Sequence, residues 1–322
     1  MKNAKKIILI NILLISAIFI TAELISKHIE QKELVKTYLQ QDKNIDISKI
    51  KLKYQPIHKF DYNKMIMSRV KNRVYKGKSG KRPIITIGCS YTYGVGLDEN
   101  QTFAYKLNKY TDRTTYNRGI NSSGPQLVYR QLSDINFKKQ IPDAEYIIYT
   151  FLSYDHIKRL FLYSLLCTKT SENITPRYYI KNDRLTEVNP VWYNMLFFSL
   201  GRKIITLKIK PEVENEFNSD YPLFFKTMEE CVKISRTKYP DSKFVLLEMT
   251  HPRSGEETNH NTCFTKEQIM KLKNLGIIYI NAEELVGHDF NDTTKYRIKD
   301  KDHPNEAVWD EIVPKLSRKL NL

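Results

Sequence analysis

The stretch Ile84–Gly96, IITIGCSYTYGVG, indicates the fold class and draws attention to one serine. Its first four residues are all β-branched, which predicts a short buried strand. The strand runs into a glycine-rich turn that contains Ser90, with Gly88 and Gly94 on either side. In an open parallel sheet, ligands bind just beyond the carboxyl ends of the strands. Ser90 is therefore either a nucleophile or a structural residue of the turn.

Similar apolar runs recur along the chain. They cover Tyr146–Phe151, Lys243–Met249 and Ile277–Ile280. Helical patterns lie at residues 102–110, 125–137, 222–239, 265–276 and 305–320. Buried continuous strands that alternate with helices are typical of a parallel sheet. We therefore expect an α/β domain.

The composition argues against two classes of protein. The 322-residue chain has a formal charge of +16, but its lysines are spread along the whole sequence. Nucleic-acid-binding proteins concentrate such residues in patches or tracts, so the charge indicates a solvated basic surface and no nucleic-acid partner. Four cysteines without a C-x-x-C pair argue against a structural zinc site, and their three disulfide pairings stay open. Cys89, after the first strand, is expected to be a small buried thiol.

The N-terminus predicts a membrane segment. Lys2, Lys5 and Lys6 precede the apolar run Ile7–Ala22. By the positive-inside rule, the lysines stay in the cytoplasm and the remaining chain is exported to the periplasmic or extracellular side. Bulky Ile20 fits a signal-peptidase site poorly, so an uncleaved anchor is favoured over a cleaved signal peptide.

These patterns divide the chain into three segments. Residues 1–25 are the predicted anchor, residues 26–82 a stalk and basic linker, and residues 83–322 the compact domain. Within the domain, the tyrosine-rich residues 161–220 lack the strand and helix alternation. We expect an insertion there, either a substrate lid or a stabilising elaboration. The sequence leaves the oligomeric state open.

A second group of candidate residues lies near the C-terminus, in KDKDHPNEAVWDEIVPKL. Asp300 and His303 are three residues apart, just before a helix whose start is marked by Asn305. A carboxylate at this spacing can accept the Nδ1 proton of the histidine and turn its Nε2 towards a serine. Asp302 is an alternative carboxylate, and His303 is alternatively a loop or capping residue.

Taken together, these two motifs resemble those of the SGNH, or GDSL-like, esterase and lipase superfamily, in a membrane-anchored bacterial-type form. The family motif G-D-S-x-T-x-G is similar to Gly88–Gly94, with cysteine in the place of aspartate. The family motif D-x-x-H before a C-terminal helix is similar to Asp300–His303, which Pro304 follows. The resemblance covers residues 83–322 and implies a flavodoxin-like three-layer α/β/α sandwich with a parallel sheet of about five strands.

The second family motif contributes a backbone N–H group to the oxyanion site. It resembles YNRGINSSGPQ, in which Asn117 and Gly119 fit the N-x-G opening. The next expected glycine falls on Ser122, with Gly124 two residues later. Because the donor is a backbone group, serine is compatible with the role. The resemblance therefore implies oxyanion donors at Ser90 and at either Ser122 or Gly124.

The third family motif, G-x-N-D, departs more strongly. After the strand at Tyr146, the chain has Leu152, Ser153, Tyr154, Asp155 and His156, and the oxyanion-binding asparagine is missing. Tyr154, Asp155 and His156 are candidate substrate or oxyanion contacts. His156 is alternatively a hydrogen-bonded loop residue beside Asp155.

The resemblance implies a serine hydrolase that cleaves an ester, such as an O-acetyl group of an envelope glycan or a lipid. Ser90 would be the nucleophile, His303 the general base and Asp300 the residue that orients it. No metal or organic cofactor is implied. Two alternatives are an O-acyltransferase that uses the same triad on an envelope glycan, and a catalytically silent envelope-binding protein.

Overall fold

The computed structural model describes residues 16–25, 28, 70, 73–160, 176, 178–187, 220–250 and 262–322. The chain divides into two compact units. The described residues of the first are helical residues 16–25 and 28. The second unit comprises Asp61–Phe161, Thr175–Glu187 and Asn218–Leu322, and it contains the predicted site residues.

A central sheet of six strands organises the second unit. Its strands are β1 (Arg73–Tyr75), β2 (Ile84–Gly88), β3 (Thr115–Gly119), β4 (Tyr146–Leu152), β7 (Lys243–Met249) and β8 (Ile277–Asn281). The spatial order is β1-β3-β2-β4-β7-β8, and every pairing except β1 with β3 is parallel. Counted along the chain, the five parallel strands have the order 2-1-3-4-5, which is the flavodoxin-like arrangement.

Helices connect the parallel strands and follow the last of them. They are α1 (Ser90–Tyr93), α2 (Phe103–Thr111), α3 (Pro125–Ser133), α4 (Phe137–Gln140), α5 (Ser153–Lys158), α6 (Asp220–Lys238), α7 (Lys266–Asn274), α8 (Ala282–Val286), α9 (Thr293–Tyr296) and α10 (Glu306–Leu320). A separate antiparallel hairpin is formed by β5 (Tyr178–Lys181) and β6 (Arg184–Glu187).

The central strands β2, β4 and β7 are buried along nearly their whole length, because helices cover both faces of the sheet. On one face, Phe103 of α2 packs against Trp309 of α10 with ring centroids 4.8 Å apart. On the other, Phe151 of β4 packs against Phe224 of α6 at 5.1 Å and Phe264 at 5.4 Å. Burial of each such side chain contributes roughly 1.5–3 kcal/mol. This packing fixes the carboxyl edge of the sheet, where the predicted site lies.

The four strands predicted from apolar runs are confirmed, and so are the α/β class and the predicted helices. The helix expected over residues 125–137 is divided into α3 and α4. The expectation of about five strands is met by the five parallel strands, and β1 adds an antiparallel sixth. This strand lies within the stretch predicted to be linker, upstream of Pro83. Strand β3 was missed as a strand.

Other predictions fall partly or wholly outside the described residues. Within the described part of the chain, no helix is both long and apolar enough to cross a membrane. Residues 1–15 of the predicted anchor and most of the predicted stalk lie outside that part. Of the expected insertion, the β5–β6 hairpin is described, whereas residues 161–175 and 188–219 are not. Cys89, Cys231 and Cys263 are buried free thiols, and Cys167 lies outside the described residues.

Candidate active site

The turn after β2 is built by two close backbone approaches. Gly88 has φ +152°, and a Cβ there would lie 2.4 Å from Thr92 Oγ1 and 2.8 Å from the carbonyl oxygen of Thr150. Gly119, at the end of β3, would bring a Cβ within 2.3 Å of the Tyr93 nitrogen. Only glycine tolerates such approaches. The two glycines therefore let α1 begin directly at the carboxyl edge of the sheet.

Ser90 is the first residue of α1 and is 6% exposed. The helix closes through hydrogen bonds from Tyr93 N–H to the Cys89 carbonyl and from Gly94 N–H to the Ser90 carbonyl, both 2.9 Å. N–H groups in the first turn of a helix have no acceptor within that helix. The Ser90 N–H therefore points out of the start of α1. Cys89 is wholly buried, and burial raises the pKa of its thiol, so the residue is neutral.

Asp300 and His303 form a hydrogen-bonded pair. His303 Nδ1 lies 2.6 Å from Asp300 Oδ2, while Asp300 Oδ1 accepts the backbone N–H groups of Asp302 and His303 at 2.8 and 3.0 Å. Partial burial acts to raise the pKa of Asp300, but hydrogen bonds from these two N–H groups and the His303 ring hold it below its usual value. The carboxylate that contacts the histidine ring is that of Asp300, and the Asp302 alternative is not the one observed.

The chain around this pair folds back on itself. Ile298 N–H donates to the His303 carbonyl at 3.0 Å, and Arg297 and Pro304 form an antiparallel bridge. Asn305 then caps α10, because its side-chain oxygen accepts the Ala307 N–H at 3.0 Å. A helix start and a backbone bridge thus hold the two ends of the loop. We refer to residues 297–304 as the histidine loop.

One side chain joins the serine turn to the histidine loop. The Tyr91 hydroxyl donates to the Asp302 carbonyl oxygen at 2.8 Å, and the Tyr91 and His303 ring centroids are 5.8 Å apart. Ser90 and His303 are therefore brought to the same edge of the sheet. Sequence reasoning missed this link. No spacing rule reveals it, because the acceptor is a backbone carbonyl.

The second motif follows β3, the neighbour of β2. Ser122 is exposed with φ +59°, and Ser123 N–H closes the turn onto the Ile120 carbonyl at 3.0 Å. Such a left-handed position is usually occupied by glycine, which is the residue of the family motif there. Gly124 is buried and is the N-cap of α3. Asn117 Oδ1 accepts the N–H of Gly119 at 3.0 Å and holds the end of β3.

The third motif forms the start of α5. Asp155 pairs with Arg159, with Oδ2 and Nη2 2.9 Å apart, and Arg159 Nη1 donates to the Ser123 carbonyl at 2.6 Å. Tyr154, which directly precedes Asp155, is half-buried. Arg159 therefore joins the third motif to the turn of the second.

His156 lies in the core rather than at the open edge of the sheet. Its side chain is wholly buried, and its Nδ1 accepts the Leu152 N–H at 3.2 Å and the Tyr149 hydroxyl at 2.7 Å. The His156 ring also stacks on Tyr149. The residue belongs to a helix, so its hydrogen bonds are those of a core histidine and not of a loop histidine.

Glu248, near the end of β7, is a buried acid that sequence reasoning missed. Its carboxylate accepts Ser153 Oγ at 2.9 Å, Cys263 N–H at 2.9 Å and Thr262 Oγ1 at 2.6 Å, together with the Tyr279 hydroxyl. These donors come from three different segments, which the carboxylate ties together. Within the described residues, no group of three or more His, Cys, Asp or Glu side chains is arranged to hold a metal.

No family model matches the sequence, and the comparison with curated proteins finds no significant match. Among solved structures, the chain is similar to a putative lipolytic protein of the G-D-S-L family from Desulfitobacterium hafniense. That match has 12% identity and a TM-score of 0.41, and it covers 74% of this chain and 99% of the other.

The chain is also similar to a psychrotrophic esterase from a Pseudoalteromonas species, with 13% identity, a TM-score of 0.43 and coverage of 75% and 100%. A lipase from a goat rumen metagenome has 13% identity, a TM-score of 0.40 and coverage of 74% and 97%. At these identities and TM-scores, the matches indicate only a similar overall path of the backbone. The case for a serine site rests on the residues of this chain.

Proposed function

We propose that this protein is a serine esterase of the SGNH type, with Ser90 as nucleophile, His303 as general base and Asp300 as its orienting carboxylate. The observation that carries the proposal is the 2.6 Å contact between His303 Nδ1 and Asp300 on a loop that the residue next to Ser90 binds. A carboxylate on Nδ1 leaves Nε2 to exchange a proton with a serine hydroxyl. Partial exposure of the pair is compatible with access by a substrate.

The proposed reaction has two halves. Ser90 Oγ attacks the ester carbonyl while His303 Nε2 takes the hydroxyl proton, and the tetrahedral intermediate collapses to an acyl-enzyme as His303 returns the proton to the leaving alcohol. Water then attacks the acyl group as His303 takes its proton, and the bond to Ser90 Oγ breaks as His303 returns that proton to the serine and the carboxylic acid is released. Asp300 stays ionised and stabilises the imidazolium in both halves.

Backbone groups are the proposed oxyanion donors. The Ser90 N–H at the start of α1 is one, and the N–H of Ser122 or Gly124 is the other. The left-handed conformation of Ser122 supports its equivalence to the family glycine. The missing asparagine of the third motif removes one side-chain donor, which typically costs a hundredfold or more in rate. We therefore expect a slower esterase than one with all three donors.

The proposed substrates are acyl esters of the cell envelope, such as O-acetyl groups of glycans or lipids. The proposed setting is the outer side of a membrane, with residues 1–25 as anchor. Three lysines before the apolar run Ile7–Ala22 support this orientation, and the formal charge of +16 suits an anionic envelope. A sugar hydroxyl that outcompeted water for the acyl-enzyme would make the protein a transferase instead of a hydrolase.

A fluorophosphonate probe tests the proposal, because it phosphonylates an activated serine. We expect wild type to be labelled and Ser90→Ala to remain unlabelled. Ser133→Ala is the control, since Ser133 lies at the exposed end of α3, where its hydroxyl donates to the Tyr129 carbonyl. Absence of labelling in wild type, or equal labelling of Ser90→Ala, would exclude Ser90 as an activated nucleophile.

A further inference from the structure

The Tyr91 hydroxyl lies at a buried junction between the two halves of the proposed site. The residue is 1% exposed, donates to the Asp302 carbonyl at 2.8 Å and accepts from Arg297 Nη1 at 3.2 Å. A phenol has one proton to donate. Burial raises the pKa of Tyr91, so the hydroxyl keeps that proton. The bond to the Asp302 carbonyl therefore has a fixed direction.

Arg297 holds the hydroxyl from the other side. The residue is 5% exposed, and its guanidinium donates through Nη2 to the Phe290 carbonyl at 3.4 Å and lies 5.8 Å from the Tyr91 ring centroid. The Arg297 backbone also forms the bridge with Pro304 that closes the histidine loop. Tyr91 is thus bound by both sides of this loop, through Arg297 on one side and Asp302 on the other.

The bound carbonyl belongs to the residue between the members of the catalytic pair. Asp302 directly precedes His303, and the N–H groups of both residues donate to Asp300 Oδ1. A shift of the Asp302 peptide would therefore move the histidine and its carboxylate together. Tyr91 directly follows Ser90 in α1. The residue that binds the histidine loop is therefore joined to the proposed nucleophile by one peptide bond.

We propose that Tyr91 is a positioning residue that sets the distance and angle between His303 and Ser90, with Arg297 fixing its hydroxyl. This inference rests on the proposed function, and it adds a residue that the four sequence motifs do not assign. Its physical basis is that the serine and the base lie more than two hundred residues apart in the chain. Misplacement of a catalytic group by about 1 Å costs on the order of a hundredfold in rate.

Tyr91→Phe tests the inference, with Tyr239→Phe as the matched control. Tyr239 is equally buried, and its hydroxyl donates to the Ile141 carbonyl at 2.7 Å, away from the serine turn and the histidine loop. Each variant loses one buried hydroxyl that donates to a backbone carbonyl. Both should therefore lose similar stability, while only Tyr91→Phe should lose rate.

The readouts are kcat and KM for a short acyl ester, the second-order rate of fluorophosphonate labelling, and the thermal midpoint. We expect Tyr91→Phe to lower kcat and the labelling rate by about tenfold to a hundredfold, with KM within about twofold of wild type. Arg297→Gln should produce a smaller loss of the same kind, because it frees the hydroxyl without removing it. Tyr239→Phe should leave kcat and labelling unchanged.

Rates for Tyr91→Phe within twofold of wild type would overturn the inference, and so would equal losses in Tyr91→Phe and Tyr239→Phe. In either case Ser90-dependent labelling of wild type would leave the proposed function standing. Wild type that is not labelled at Ser90 would overturn both.

Discussion

Asp300 and Glu248 are two carboxylates with similar hydrogen bonds and different surroundings. Each accepts hydrogen bonds from backbone and side-chain donors. Asp300 lies in the histidine loop, whereas Glu248 lies near the end of β7. The Asp300 side chain is 40% exposed and contacts an imidazole, whereas Glu248 is wholly buried among hydroxyl and amide donors. The number of hydrogen bonds therefore does not distinguish the proposed orienting carboxylate from the buried one. The two carboxylates differ in their exposure, which would let a substrate approach, and in their contact with a side chain that can transfer a proton.

The largest expected effect separates two solvent-accessible histidines that each pair with a carboxylate, the partly buried His303 and the exposed His288. His303→Ala should lower ester turnover by about 10⁴-fold, because the serine loses its base. His288→Ala removes a pair of the same length, 2.6 Å to Glu311, and should leave turnover unchanged. Steady-state kinetics on a short acyl ester measure both. Turnover in His303→Ala within tenfold of wild type would contradict the triad.

The second effect is on stability and concerns Glu248. Glu248→Gln places an amide NH₂ group among donors, so we expect the free energy of unfolding to fall by about 2 kcal/mol. Glu267→Gln, on the exposed first turn of α7, should change it by less than about 0.5 kcal/mol. Urea unfolding at neutral pH measures both variants. Equal stabilities of the two would show that the buried carboxylate does not tie its neighbouring segments together.

Fluorophosphonate labelling of folded Glu248→Gln sharpens the same contrast. Since Glu248 has a structural role, the labelling rate per folded molecule should match that of wild type. A loss of labelling without a loss of folded protein would instead place this carboxylate in the chemistry.

The smallest expected effect is the pH dependence of stability that Asp300 contributes. Its pKa is lower in the folded chain than in the unfolded one, where aspartate has a value of about 3.9. Its contribution is therefore present above about pH 4 and is lost as the pH falls through the folded pKa. The stability difference between wild type and Asp300→Asn should shrink from pH 7 to pH 3. A difference that grows on acidification would contradict the sign of the shift.

Local patterns account for what the sequence predicted correctly. Strands β2, β4, β7 and β8 are mostly apolar runs of five to seven residues, a length typical of buried strands. The pair of Asp300 and His303 was predictable because both residues lie in one turn, so their contact does not depend on the rest of the fold.

The missed features depend on distant partners. Strand β3, TYNRG, carries buried Asn117 and Arg118, whose polar side chains hide its strand character. They are tolerated because Asn117 caps its own strand end and Arg118 lies over the Phe137 ring at 5.2 Å. The sequence leaves His156 open between a substrate or oxyanion contact and a loop residue, but α5 begins at Ser153 and carries its side chain into the core. The bond from Tyr91 to Asp302 spans 211 residues and has a backbone acceptor.

The central claim is that Ser90 is a nucleophile activated by His303. Peptide mass spectrometry of the fluorophosphonate-treated protein tests it directly, because the adduct identifies the reacting residue. The account predicts a single phosphonyl group on Ser90 in wild type and none in His303→Ala under the same conditions. An adduct on a different residue, or equal modification of Ser90 in both proteins, would contradict it.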